Sequence, residues 1–159
     1  SGGVPVRTRV GHSFIKAEMA QRSAVFGGEH SAHYYFRDFW FADTGMLAAM
    51  HVLAALGETD VALADLVAPY VRYADSGEIN SRVDDPAARM AAVRAAFADR
   101  AESVDELDGL TVELGSGNWF NVRASNTEPL LRLNVEGRDE ASMSAVRDEV
   151  LAVIRAEQP

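Results

Sequence analysis

The sequence contains no cysteine, which excludes a disulfide framework and a thiolate metal site. Lysine is almost missing as well: of the 15 basic residues, fourteen are arginine and one, Lys16, is lysine. A long apolar run is absent. The longest near-apolar stretch, Met46 to Leu56, is too short to span a bilayer and contains His51, so no membrane partner is expected. No basic stretch followed by an apolar segment opens the sequence, so no secretory leader is read and a cytoplasmic location is expected. Positive charge is in deficit, with 24 acidic against 15 basic residues and a net charge of -9. Such a chain is a poor general polyanion binder, so no nucleic-acid partner is expected, although one local anion site remains open to it. There is no internal repeat and no low-complexity tract. What the sequence does have is apolar content: 48% of its 159 residues are hydrophobic, enough to build a core.

The first half reads as α/β. Val4 to Val10 is β-rich, and His12 to Arg22 has the composition of a short helix. Ala24 to Phe26 reads as a short strand running into Gly27-Gly28, followed by a polar, aromatic stretch from Glu29 to Phe41 without clear period. Asp43 is placed to cap a helix from Thr44 to Leu56. Because that helix is apolar almost all round, it is expected to be buried, with His51 a core histidine. Gly57 is its natural stop, and Asp60 is expected to cap a further short helix ended by Pro69. Trp40 and Trp119 read as packing anchors.

The second half has a different grammar. Val71 to Val83 holds one or two strand pieces, and Asp85-Pro86 is a helix start. Met90, Val93 and Phe97 fall on one helical face. Leu110–Leu114 and Trp119–Arg123 read as strands joined through Gly115-Ser116-Gly117-Asn118. Leu131, Leu133 and Val135 alternate with polar residues as a third strand, which Gly137 breaks. The last helix, near Asp139 to Ala156, puts Met143, Val146, Val150 and Ile154 on one face. The expected fold is therefore an α/β partial domain, residues 1–70, followed by a compact α+β domain, residues 71–159, with two helices on an antiparallel sheet.

Three constellations can carry chemistry. In Arg123-Ala124-Ser125-Asn126-Thr127-Glu128-Pro129, Arg123 offers a phosphate a bidentate fork, Ser125 and Thr127 offer hydroxyls, and Asn126 offers an amide. A tight turn there can also gather successive N–H groups into an anion nest, and Arg132 adds charge from the next strand. The same residues also suit an ordinary polar turn. In Gly27-Gly28-Glu29-His30-Ser31-Ala32-His33, Glu29 and Ser31 can hydrogen-bond vicinal sugar hydroxyls. His30, His33 and Asp43 form a weak zinc pattern, and no metal site is assigned. In Gly11-His12-Ser13-Phe14-Ile15-Lys16, His12 and Lys16 lie one helical turn apart, able to meet a phosphate or move a proton.

In this order, the three motifs resemble those of the α-D-phosphohexomutase superfamily, over essentially the whole chain. Ser125-Asn126-Thr127-Glu128-Pro129 resembles the phosphomannomutase/phosphoglucomutase type more than phosphoglucosamine mutase, where Gly is usual in place of Asn126. The resemblance implies that Glu29, Ser31 and His33 hold the sugar. It likewise implies that Arg123, Ser125, Asn126, Thr127 and Arg132 grip the phosphate not being transferred, and that His12 and Lys16 line the reaction centre. It implies a hexose phosphate substrate, a phosphoserine nucleophile, hexose 1,6-bisphosphate as activator and intermediate, and Mg2+. Neither the serine loop (Thr-Ala-Ser-His-Asn-Pro type) nor the metal loop (Asp-Gly-Asp-x-Asp-Arg type) occurs in this sequence. The chain thus reads as the end of the family's third domain plus its fourth, expected to be inactive alone and to self-associate through the incomplete first domain. A stand-alone, non-catalytic sugar-phosphate binding module is the alternative. One departure stands out: Ala32 occupies a place where the family usually has Gly.

Overall fold

The computed structural model describes residues 2–125 and 128–156. Contacts divide the chain into two units, Ser1–Tyr70 and Val71–Pro159.

In the first unit, α1 (His12–Arg22) is followed by three short strands: β1 (Phe26–Gly28), β2 (Tyr34–Phe36) and β3 (Ala42–Asp43). They form an antiparallel sheet in the order β1-β2-β3. Its register places Gly27, Tyr35 and Asp43 in one cross-strand row. Side chains on one row share a face. On that face α1 packs Ile15 and Met19 against Tyr35, and these three buried residues are the unit's core. Gly27 lets α1 approach closely: a Cβ there would lie 2.8 Å from Met19 Sδ and 3.3 Å from Ile15 Cγ2, so both side chains would have to shift. The neighbouring row, Phe26 and Phe36, belongs to the opposite face, where Phe36 stacks on His51 at 5.4 Å. His51 lies on α2 (Gly45–Gly57), which is followed by α3 (Leu63–Val67).

Several sequence expectations for this unit are corrected. Val4–Val10 forms no strand, and Val4, Val6 and Val10 are exposed; β propensity makes a strand only where a partner edge exists. The strand expected at Ala24–Phe26 starts at Phe26 and includes both glycines. Thr44, not Asp43, caps α2, its hydroxyl accepting from Leu47 N–H at 3.3 Å. Asp60 caps nothing; Ala62 precedes α3, without a side-chain cap. No residue of α2 is buried: Met46 is 74% and Leu53 65% exposed. The three-stranded sheet is too small to cover it, and an open apolar groove of about 980 Å³ runs between Val25, Phe26 and Phe36 of the sheet side and Ala49, His51 and Val52 of α2. His51 is therefore exposed, and Trp40 is 78% exposed against Phe39 instead of anchoring a core.

The second unit contains β4 (Ala74–Asp75), β5 (Ile79–Arg82), α4 (Pro86–Phe97), β6 (Ser103–Asp105), β7 (Leu110–Gly115), β8 (Asn118–Ala124), β9 (Leu130–Gly137) and α5 (Glu140–Ile154). The antiparallel sheet runs β4-β9-β8-β7-β6, with β5 also paired to β9. Local signals place each element. Asp85 accepts from Ala88 N–H with Pro86 in the first turn of α4, and Asp139 and Ser142 make a reciprocal capping box on α5. Ser116 and Gly117, both at positive φ, make the two-residue turn between β7 and β8. Along β9, Leu131, Leu133 and Val135 are buried and alternate with half-buried residues. They meet Val93 and Phe97 of α4, and Met143, Val146, Val150 and Ile154 of α5, around Phe120 and Val122. Each such side chain contributes about 1.5–3 kcal/mol on burial. Trp119, on the other face of β8, is half-buried. That face also carries Arg123 and Arg132.

Candidate functional site

In the first unit the sheet row described above builds a polar site around one buried tyrosine. The chain leaves β1 at Gly28 and returns at Tyr34. The loop between is closed by Glu29 N–H donating to His33 O at 2.9 Å and Ala32 N–H donating to Glu29 O at 3.0 Å. This closure requires Ala32 at φ 63, the left-handed region that glycine adopts without strain. Within the loop, Ser31 Oγ and His33 Nδ1 are hydrogen-bonded at 2.8 Å. Glu29 is fixed from below, because the Tyr35 hydroxyl donates to its Oε1. Burial first, then the hydrogen bond to Glu29 and the nearby carboxylates, hold the Tyr35 hydroxyl well above the usual phenol range, so it remains a donor.

The same tyrosine reaches the third motif. Tyr35 lies against the His12 ring, centroids 5.4 Å apart. His12 Nδ1 is 2.9 Å from Asp43 Oδ1. Lys16 is half-buried one turn along α1. The fold thus joins Glu29, on the sugar loop, to His12, on the helix, through Tyr35. Sequence reasoning missed Tyr35 and gave Asp43 a capping role. Strands of two or three residues show no readable period, and the pairing that brings Asp43 to His12 leaves no local signature.

In the second unit Arg123 and Arg132 are directly opposed across β8 and β9. Two like charges at such a spacing repel. Two carboxylates that were not singled out from the sequence offset this. Glu78 lies 3.4 Å from Arg132 Nη1 and 4.0 Å from Arg123 Nη2, and Asp108 lies 3.8 Å from Arg123 Nη1. Asp108 is delivered by the turn into β7, where Gly109 stands at φ 76; a Cβ there would meet Val122 O at 2.5 Å. Both arginines are partly exposed, and Arg132 Nε is buried with no hydrogen-bond partner among the described residues. Ser125 N–H donates to Leu130 O at 2.9 Å. That N–H is engaged with the start of β9. Asn126 and Thr127 lie outside the described residues.

No group of three or more His, Cys, Asp or Glu able to hold a metal ion occurs among the described residues. The His30, His33 and Asp43 pattern does not assemble: the Asp43 carboxylate is engaged with His12 and His33 Nδ1 with Ser31. No described helix is long and apolar enough to cross a membrane.

Comparison with known proteins shows the family of the chain. Residues 1–73 match the family described as phosphoglucomutase/phosphomannomutase, alpha/beta/alpha domain III, and residues 78–153 match the C-terminal domain of the same family. The chain is 44% identical over 154 residues to a protein named "Phosphohexose mutases" from Xanthomonas campestris pv. campestris (strain B100), covering 96% of this chain and 34% of the relative. It is 43% identical over 156 residues to a phosphomannomutase of Salmonella typhimurium, covering 97% and 34%. With a phosphomannomutase of Methanocaldococcus jannaschii it shares 40% over 153 residues, covering 96% and 33%. A crystal structure of a phosphoglucomutase/phosphomannomutase family protein from Burkholderia thailandensis superposes with a TM-score of 0.79 at 27% identity, over 99% of this chain and 34% of that one. The chain spans about a third of the length of the curated relatives it matches. On sequence, on fold and on the order of its motifs, the chain belongs to the phosphoglucomutase/phosphomannomutase family.

Proposed function

We propose that this chain supplies the sugar- and phosphate-recognition part of a phosphohexomutase that interconverts hexose 6-phosphate and hexose 1-phosphate, of mannose, glucose or both. The observation that carries the reading is the Glu29 carboxylate held on its loop by the buried Tyr35 hydroxyl. One oxygen accepts the hydrogen bond from the tyrosine hydroxyl, and the other is left to accept from a sugar hydroxyl. An orienting hydrogen bond from a rigid, buried donor fixes the acceptor before substrate arrives, which lowers the ordering cost of binding. Ser31 and His33 add polar atoms on the same loop. In the second unit, Arg123 and Arg132 supply the charge for the phosphate dianion, with Arg123 the bidentate partner, and Ser125, Asn126 and Thr127 are proposed to complete that site. His12 and Lys16 line the reaction centre in this proposal.

The proposed route of the whole enzyme passes through a phosphoserine and hexose 1,6-bisphosphate. The family's nucleophile and metal patterns do not occur in this sequence. Mg2+ belongs to the proposed whole enzyme, and no group of three or more His, Cys, Asp or Glu that could hold it occurs among the described residues of this chain. Positioning residues without a nucleophile lack the chemical step, so this chain alone is expected to bind but not to convert hexose phosphates.

An amide NMR titration of the chain with mannose 1-phosphate tests the reading. Shifts at Glu29–His33 and from Arg123 to Leu130 are expected, and Arg123→Ala should abolish the second set. A well-dispersed spectrum that does not move in either region at saturating ligand would overturn it.

A further inference from the structure

Asp43 has no structural task that accounts for its side chain. Its backbone pairs with Tyr35, and the neighbouring helix is capped by Thr44. Cap formers stand at both 43 and 44, yet the fold uses the second and turns the first toward α1. There its Oδ1 sits 2.9 Å from His12 Nδ1, with the carboxylate side chain 31% and the imidazole 55% exposed. At 2.9 Å this is hydrogen-bond geometry. The ring is held from a second side by Tyr35 and by its own place at the start of α1. The contacts of the ring are these two, and neither engages Nε2 in a hydrogen bond or ion pair with a described residue.

We propose that Asp43 is a positioning residue: it accepts a hydrogen bond from His12 Nδ1–H and thereby fixes the tautomer that leaves Nε2 unprotonated, as a hydrogen-bond acceptor for a hexose hydroxyl. A neutral imidazole has one donor and one acceptor nitrogen, and the partner of one decides the role of the other. The proposal rests on the hexose phosphate reading for the identity of the ligand, but the tautomer itself does not depend on ligand. Asp43 and Tyr35 then do parallel work from adjacent strands, one orienting His12 and the other orienting Glu29.

The test is long-range 15N NMR of the His12 ring in the intact chain, about two pH units above the ordinary imidazole value of about 6.5. The unsubstituted chain should show Nδ1 protonated and Nε2 bare. Asp43→Ala should shift the population toward the Nε2–H form, moving the Nε2 signal from the range of a bare nitrogen to that of a protonated one. Asp43→Asn keeps an acceptor oxygen and should retain more of the Nδ1–H form. A purely structural Asp43 would leave the tautomer unchanged in both variants, and that result overturns the proposal. So does an Nε2–H or doubly protonated ring in the unsubstituted chain, a readout that needs no variant to fold. If the tautomer behaves as expected while mannose 1-phosphate moves no amide, the positioning role stands and the hexose phosphate reading fails.

Discussion

Replacing Ala32 by glycine should stabilise the Glu29–His33 loop, although Ala→Gly at an exposed site normally destabilises. Ala32 stands at φ 63, with its N–H bonded to Glu29 O and its side chain exposed. An L-residue in the left-handed region costs about 1–2 kcal/mol relative to its preferred conformations. Glycine removes that strain but loses about 0.5–1 kcal/mol more through chain entropy on folding. No packing is lost, because the methyl group faces solvent. The difference leaves a net gain of about 0.5–1 kcal/mol, or two- to fivefold in a local opening equilibrium. Hydrogen exchange reads such openings directly. The Glu29 amide, bonded to His33 O, should exchange about two to five times more slowly in Ala32→Gly. Ala32→Val should move the same amide the other way, since a β-branched residue fits the left-handed region worse. Faster exchange at Glu29 in the glycine variant would refute the argument, because it would mean that Ala32 is not strained.

In the second unit, Arg123→Ala should weaken mannose 1-phosphate binding, whereas Glu78→Gln should tighten it by about 1 kcal/mol, roughly fivefold at low salt, by removing the carboxylate that competes for both arginines. Titration at two salt concentrations checks this, and weaker binding in Glu78→Gln would show that Glu78 holds the arginines in place instead. Asp139 at the start of α5 has its carboxyl held below the usual range, chiefly by the Ser142 backbone N–H and then by the Ser142 hydroxyl. Its folded value is depressed, so its contribution is present above the unfolded value of about 3.9 and is lost as pH falls through the lower folded value. Exchange protection in the first turn of α5 should therefore drop below about pH 4 in the unsubstituted chain, and Asp139→Asn should flatten that drop. The exposed apolar face of α2 should drive self-association of this chain, and Leu53→Glu should reduce the associated fraction in sedimentation. Unchanged sedimentation would place the contact elsewhere.

The second unit could be read from its sequence because each element carries its own local instruction. Asp85-Pro86 fixes the start of α4, and the glycine pair around Ser116 fixes a two-residue turn. The alternation along Leu131, Leu133 and Val135 fixes which face of β9 is buried. Strand β6 escaped notice because three residues show too little alternation to identify it. The first unit gave weaker signals for the same reason: its strands are two or three residues long, and Val4–Val10 has strand composition without a strand. Composition also misled at α2, since an apolar helix is buried only where something covers it. The site divides along a similar line. Glu29, Ser31, His33, Arg123 and Arg132 lie in or beside short motifs, which is why the sequence offers them as candidates. Asp43, Glu78 and Asp108 meet partners far away in sequence, which no short window contains; Tyr35 is only six residues from Glu29, but three-residue strands show no period that would mark its side chain as buried beneath the loop.

This division has a physical consequence for the first unit. Its buried core consists of Ile15, Met19 and Tyr35. Tyr35 is thus at once the largest core side chain and the group that orients Glu29 and contacts His12. A large domain can isolate such a role, because many other residues hold the scaffold. Here the scaffold and the site share a residue, so stability and binding cannot be changed independently at that position. Tyr35→Phe separates the two contributions, since it keeps the ring and removes only the hydroxyl. The ring's burial sustains the sheet–helix packing, worth about 1.5–3 kcal/mol, while the lost hydrogen bond to a carboxylate is worth about 1.5–3 kcal/mol and falls on Glu29 alone. Binding should therefore suffer in that variant while the fold persists, the pattern of a tyrosine retained for its hydroxyl as well as for its bulk.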